Sequence, residues 1–217
     1  MVTLEERLQS MRAKSLSEQT PEAATTISEF VRSLREDGTL ARALQPGDRA
    51  PDILLRDQNG SEFRYARLRD REPLVISFVR GTWCQYAKAE LAELSQAYTR
   101  IRATGARLVA IAPQTPHDAA DFYARHPVPF PVLTDRESRT AAWFGLSYEL
   151  PARVREVYRN TLGIDLAAIN GDAAWHLPMS ARYVIDRGVI VYARVDPDPC
   201  RRPGTDETIA FLEEFVA

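Results

Sequence analysis

The stretch Leu74-Val75-Ile76-Ser77-Phe78-Val79-Arg80-Gly81-Thr82-Trp83-Cys84-Gln85-Tyr86-Ala87-Lys88-Ala89-Glu90-Leu91 carries more information than any other part of the chain. From Leu74 to Val79 every residue but Ser77 is apolar, the makeup of a strand buried on both faces. From Tyr86 onward Leu91, Leu94, Ala97, Tyr98 and Ile101 recur at helical spacing, so a helix follows and Cys84 falls at or just before its first turn. The unpaired backbone N–H groups there and the positive end of the helix dipole favour a negative group. A thiol is a side chain that can become one. The dipole contributes only roughly 0.3–2 kcal/mol, so hydrogen bonds to the sulfur or a neighbouring arginine must complete the stabilisation. Arg80 and Arg182 are the candidates. The alternative is that Cys84 is a small buried hydrophobe. A strand-to-helix elbow that points its side chain over the sheet edge favours the reactive reading.

Composition sets the frame. The chain has 217 residues, the size of one domain with decorations. Its 28 Lys and Arg against 30 Asp and Glu leave a formal charge of −2, so no basic footprint points to nucleic acid. Residues 1–30 hold no apolar run fit for a signal peptide or a membrane span, and a cytoplasmic location without a membrane partner is expected. The only cysteines are Cys84 and Cys200; in a reducing compartment they suggest chemistry before a structural staple. His117, His126 and His176 show no metal-ligand spacing and no glycine-rich phosphate loop is present, so neither a metal nor a cofactor is expected.

Outward from the central stretch, residues 1–43 read as a helical extension. Leu4, Leu8, Met11 and Leu16 form one apolar stripe, and Ile27, Phe30, Val31 and Leu34 a second that ends near Asp37-Gly38. They look like a packing or dimerisation surface and not a site, so a homodimer is a candidate assembly. Residues 44–217 then form the main domain. Ile53-Leu54-Leu55 and Glu62-Phe63-Arg64-Tyr65 flank the turn Asp57-Gln58-Asn59-Gly60 as a hairpin. Leu108 to Ile111 and Phe130 to Leu133 read as strands, and Pro116 to Arg125 and Glu137 to Phe144 as helices. This alternation implies parallel strands with right-handed crossovers. An insertion at about 147–178 carries a helix over Ala152 to Asn160 and is placed to shape the mouth of a site. Arg182 to Ile185 and Val189 to Tyr192 then form a hairpin, and Glu207 to Val216 a closing helix.

The order βαβαβα, then a β-hairpin and a helix, with a cysteine after the first core strand, resembles the thioredoxin fold: α/β, a three-layer sandwich. Gly47-Asp48-Arg49-Ala50-Pro51-Asp52, Arg80-Gly81-Thr82-Trp83-Cys84, Ile111-Ala112-Pro113-Gln114-Thr115-Pro116, Phe130-Pro131-Val132-Leu133-Thr134-Asp135 and Val195-Asp196-Pro197-Asp198 resemble the peroxiredoxin-like proteins of the alkyl hydroperoxide reductase and thiol-specific antioxidant family. Phe144-Gly145-Leu146 and Gly163-Ile164-Asp165-Leu166 extend the likeness, which runs from about Leu44 to the C-terminus. The resemblance implies a peroxide-reducing or thiol-exchanging oxidoreductase with Cys84 as nucleophile.

Departures from the family pattern gather at the expected site. Members of this branch usually read Trp-Cys-Pro-Tyr-Cys, whereas here Trp83-Cys84-Gln85-Tyr86-Ala87 lacks the second thiol. The peroxiredoxin signature Pro-x-x-x-Thr-x-x-Cys is absent, with Ser77 and Gly81 at its Pro and Thr positions. Ser180 stands where the family carries a proline, usually cis; a non-proline cis bond costs about 2.5–4 kcal/mol, so a trans peptide is expected. Arg182 stands where a small polar residue is expected, two residues after the arginine position of true peroxiredoxins. The period of two puts residues 180 and 182 on one strand face, so Arg182 either leans toward Cys84 or snorkels to solvent. Cys200, in the loop after the last strand, leaves the sheet on the Cys84 side and is either a resolving thiol or an exposed loop cysteine.

The first reaction to consider is attack of Cys84 on a hydroperoxide to give a sulfenate, with Arg182 or Arg80 and Thr82 hydrogen-bonding the peroxide oxygens. Cys200 or an external thiol reductant regenerates it. Arg80, Trp83, Gln85, Tyr86 and Ser180 are the candidate pocket residues for this small-molecule substrate, a hydroperoxide or another electrophile. Two other classes remain open: a diverged thioredoxin-fold enzyme using Cys84 on a different, for example biosynthetic, substrate, and a non-catalytic binding module.

Overall fold

The computed structural model describes residues 3–216; Met1, Val2 and Ala217, at the outer ends of the expected extension and domain, lie outside the described residues. The chain runs α1 (Leu4–Ser17), α2 (Pro21–Glu36), β1 (Leu54–Asp57), β2 (Glu62–Arg64), β3 (Leu74–Phe78), α3 (Gln85–Ala103), β4 (Arg107–Ala112) and α4 (Pro116–Arg125). It continues through β5 (Val132–Thr134), α5 (Arg139–Trp143), β6 (Ser147–Glu149), α6 (Ala152–Glu156), α7 (Leu166–Asn170), β7 (His176–Pro178), β8 (Ser180–Asp186), β9 (Val189–Asp196) and α8 (Thr205–Val216). A seven-stranded open sheet has the order β2-β1-β5-β4-β3-β8-β9, and β6 and β7 form a separate ribbon. The β3–β4 and β4–β5 pairs are parallel and β3–β8 is antiparallel. This is the thioredoxin-like α/β sandwich expected from the sequence.

β3 is apolar throughout because both of its faces are covered. Val75 packs with Leu91, Leu94 and Ile101 of α3 and Leu212 of α8. Ile76 and Phe78 point the other way into a core with Phe144, Tyr183 and Leu177, where the Phe78 and Phe144 rings lie 5.1 Å apart. The ladder pairs Ser77 with Arg182 and Phe78 with Ala181, and across the hairpin Ser180 with Asp196. The start of β8 and the end of β9 therefore lie at the end of β3 that leads to Cys84. No peptide bond among the described residues is cis, the one before Ser180 included.

Several elements differ from the sequence reading, among them β6 and α7 of the insertion, which it did not contain. The helix expected from Glu137 begins at Arg139, because Glu137 and Ser138 take positive φ of 57° and 52° while the Asp135 carboxylate accepts the N–H groups of Thr140 and Ala141. The helix expected over Ala152 to Asn160 is α6 followed by a π-turn over Val157–Thr161. The ribbon strand β7 carries no alternation that would announce it.

Candidate active site

Cys84 caps the N-terminus of α3 with extended backbone, φ −85° and ψ 116°. The turn that brings it there passes through Gly81, at φ +117°, where a Cβ would lie 2.8 Å from Trp83 Nε1 and 3.0 Å from Gln114 Oε1. A side chain at this position is strained in this backbone conformation and displaces the Trp83 ring or the Gln114 amide. The Cys84 side chain packs on Val79, Ala87 and Ala112 and is only 4% exposed. It does not stand out over the sheet edge as expected. Instead it lines the floor of a cavity of about 480 Å³.

That cavity has walls from three separate segments. Leu16, Ile27 and Val31 come from α1 and α2, Tyr158 and Leu162 from the insertion, and Cys200 from the loop after β9. The N-terminal helices therefore line the cavity over Cys84, where the sequence pointed to a packing or dimerisation surface and not a site. They are fastened in place by Leu8 against Ala89 of α3, by Phe30 edge-on to Tyr148 at 5.7 Å, and by the ion pairs Arg12–Asp198 (2.9 Å) and Arg35–Asp196 (2.5 Å).

Arg80 lies on the same wall as Cys84 and is 5% exposed. Its guanidinium stacks 4.9 Å from the Trp83 ring and donates to the Tyr158 hydroxyl. Its Nε has no partner, and among the described residues no carboxylate pairs with it. Burial opposes its charge, but Tyr148, Tyr158 and Cys84 around it hold the guanidinium protonated. Burial also pushes the Tyr158 phenol up, so it stays a neutral O–H donor beside Arg80. Gln85 is exposed at the rim. Tyr86 faces both the Cys200 sulfur and the Ser15 hydroxyl, and burial holds its phenol protonated. Burial pushes the Cys200 thiol up to about 12, opposed by Tyr86. Both cysteines are free and buried.

Three expected members lie elsewhere. Arg182 neither leans on Cys84 nor reaches solvent: fully buried, it donates to Glu90 Oε1 at 2.8 Å and lies within 3.4 Å of the Thr208 hydroxyl. A buried guanidinium needs a counter-ion, and Glu90 supplies it while also accepting from Ser77 (2.5 Å) and Arg202 (2.7 Å). Thr82 donates its hydroxyl and its N–H to Gln114 Oε1, at 2.8 and 2.6 Å, so it shapes the turn and offers no donor to the cavity. Ser180 is 2% exposed with its hydroxyl unpartnered, and it is not on the cavity wall.

Sequence reading missed Tyr158, Gln114 and Glu90. Only Glu90 left a signal: with Ala87, Leu91 and Leu94 it falls on the inward helix face, an acid where an apolar residue is expected. Among the described residues no helix is long and apolar enough to cross a membrane, and no group of His, Cys, Asp and Glu is placed to hold a metal.

Comparison with known proteins agrees with the fold. Peroxidoxin BcpB from Mycobacterium tuberculosis superposes with a TM-score of 0.60 at 19% identity, covering 79% of this chain and 97% of that one. A peroxiredoxin-like protein from Aquifex aeolicus gives 0.60 at 18% identity, covering 81% and 90%. In sequence, the thiol-disulfide oxidoreductase ResA of Geobacillus thermodenitrificans is 27% identical over 105 residues, 48% of this chain and 59% of that protein. The chain thus spans less than two thirds of this curated relative's length. The model of the AhpC/TSA family matches residues 46–193, a stretch that holds β1 to β8, the insertion and Cys84, and the chain belongs to that family.

Proposed function

We propose that the chain is a thiol-dependent oxidoreductase that reduces hydroperoxides through Cys84. One observation carries this reading: Arg80 is a buried cation without a carboxylate partner on the wall it shares with Cys84. An uncompensated buried charge costs several kcal/mol, and a Cys84 thiolate at a helix N-terminus is the anion that would offset it. The sulfur attacks the distal peroxide oxygen, the O–O bond breaks, and the alkoxide leaves under the Arg80 guanidinium and the Tyr158 O–H. The alkoxide takes up a proton from water, giving an alcohol and Cys84 sulfenic acid. One external thiol then condenses with the sulfenic acid, releasing water and leaving a mixed disulfide. A second external thiol releases Cys84 and departs as the oxidised disulfide. An external reductant is favoured over Cys200 because burial keeps that sulfur a protonated thiol, and a thiolate is the attacking species.

Mass spectrometry after stepwise addition of cumene hydroperoxide tests the reading. The expected product is one oxygen on Cys84, removed by an external thiol in the Cys200→Ser variant as in the parent. An unmodified Cys84, or oxidation confined to Cys200, would overturn it. The commitment of Thr82 to Gln114 and of Arg182 to Glu90 leaves few donors for a peroxide, which favours as second reading a reaction of Cys84 with a carbon electrophile. In that case Cys84 stays unoxidised after hydroperoxide addition, and a separate addition of N-ethylmaleimide gives a stable thioether on Cys84 by addition of the S–H across the electrophile's C=C bond.

A further inference from the structure

The helices α1 and α2 lie outside the stretch matched by the family model, yet they complete the chamber over Cys84. Its volume of about 480 Å³ falls within the range of small-molecule sites, roughly 300–1,000 Å³. It exceeds by about an order of magnitude the roughly 30 Å³ occupied by a water, and hydrogen peroxide is little larger than water. Apolar side chains make up the larger part of the surface around this space, Leu16, Ile27 and Val31 with Leu162 and Ile164 from the insertion, and Ser15, Gln19 and Ser28 are set among them.

Three of the four lining arginines have carboxylate partners, on the wall or beside it. Arg12 pairs with Asp198, Arg35 with Asp196 and Arg32 with Glu36 at 3.8 Å. Arg80 alone has no carboxylate, and it faces Cys84. Every lining cation other than Arg80 is thus paired, and the apolar surface of Leu16, Ile27, Val31 and Leu162 suits a neutral ligand body.

We infer that α1 and α2 are the substrate-selecting wall of the Cys84 site, and that through Leu16, Ile27 and Val31 they select an electrophile with a neutral apolar body several carbons long over a small polar one. This rests on the reading of Cys84 as the nucleophile. Each methylene buried against the wall raises kcat/KM by about fourfold, the equivalent of about 0.8 kcal/mol, until the chamber is full.

Two measurements test the inference. The first compares kcat/KM for hydrogen peroxide, tert-butyl hydroperoxide and 1-decyl hydroperoxide with dithiothreitol as reductant, in the parent and in Leu16→Glu and Ile27→Glu. The decyl substrate is expected to exceed hydrogen peroxide by at least about 100-fold, and either charge is expected to cut that ratio by at least about tenfold. Leu16 is 42% exposed, so its variant is expected to keep the parent's melting temperature even where Ile27→Glu does not. Equal kcat/KM for the decyl substrate and hydrogen peroxide in the parent overturns the inference and leaves the peroxidase reading standing. The second measurement is calorimetric titration of the Cys84→Ser protein with 1-decanol and, separately, with glutathione. Decanol is expected to bind at least tenfold tighter than glutathione and to be weakened at least tenfold by Leu16→Glu. Binding of that kind, together with no peroxide consumption by the parent protein in the first measurement, removes the peroxidase reading and upholds the wall. No decanol binding, or tighter glutathione binding, removes the wall.

Discussion

Arg80 and Cys84 stand four residues apart across a turn with room only for glycine, and the charge of one gives the other its proposed character. Replacing Arg80 by methionine keeps the length of the side chain and removes the cation. Alkylation of Cys84 by iodoacetamide at neutral pH is then expected to slow at least tenfold, read by peptide mass spectrometry, with Arg80→Lys restoring part of the rate. Cys200 gives the opposite case. Burial raises its thiol from the ordinary 9.0 to about 12, so the folded protein holds that proton more tightly than the unfolded chain. Its contribution to stability is complete below pH about 9 and is lost as pH rises toward 12. Urea midpoints of Cys200→Ala are therefore expected to fall less than the parent's between pH 8 and about 11. Cys84 and Arg80 were legible in the sequence because a buried strand and an amphipathic helix fix the residues between them to one turn. Arg182 was not, because its partner Glu90 lies 92 residues away.

Strand β8 and helix α3 are joined by one carboxylate. Glu90 sits between Arg182 of β8 and Arg202 of the following loop, with Ser77 of β3 as a third donor. Removing one partner of a buried pair leaves the others unpaired and costs roughly 3–5 kcal/mol. Glu90→Gln is expected to lower the urea midpoint by that equivalent with an unchanged m-value, whereas Glu90→Leu paired with Arg182→Met and Arg202→Met is expected to recover most of it. Hydrophobic period read the helices and strands of this region closely, since burial on one face leaves a mark at every turn. It could not read the π-turn at Val157–Thr161, which holds the chamber-lining Tyr158, because such single turns leave no period of their own in the sequence.

At the scale of the whole molecule, the order of strands and helices was legible because parallel strands need crossovers and those crossovers alternate along the chain. The position of α1 and α2 was not, because an apolar stripe says that a helix face is covered and not by what. Their attachment beside the chamber rests in part on Arg12–Asp198 and Arg35–Asp196, half-exposed pairs worth about 0.2–1 kcal/mol each. Reversing both charges, Arg12→Glu with Arg35→Glu, is expected to speed amide hydrogen exchange in α1 and α2 and leave β3 and β4 protected. The family-matched stretch ends at residue 193 and begins at residue 46, so the chamber's floor lies inside that stretch while Leu16, Ile27, Val31 and Cys200 of its walls are encoded at either flank. Substitutions in those margins can change which molecules reach the sulfur while the sulfur and its turn stay untouched.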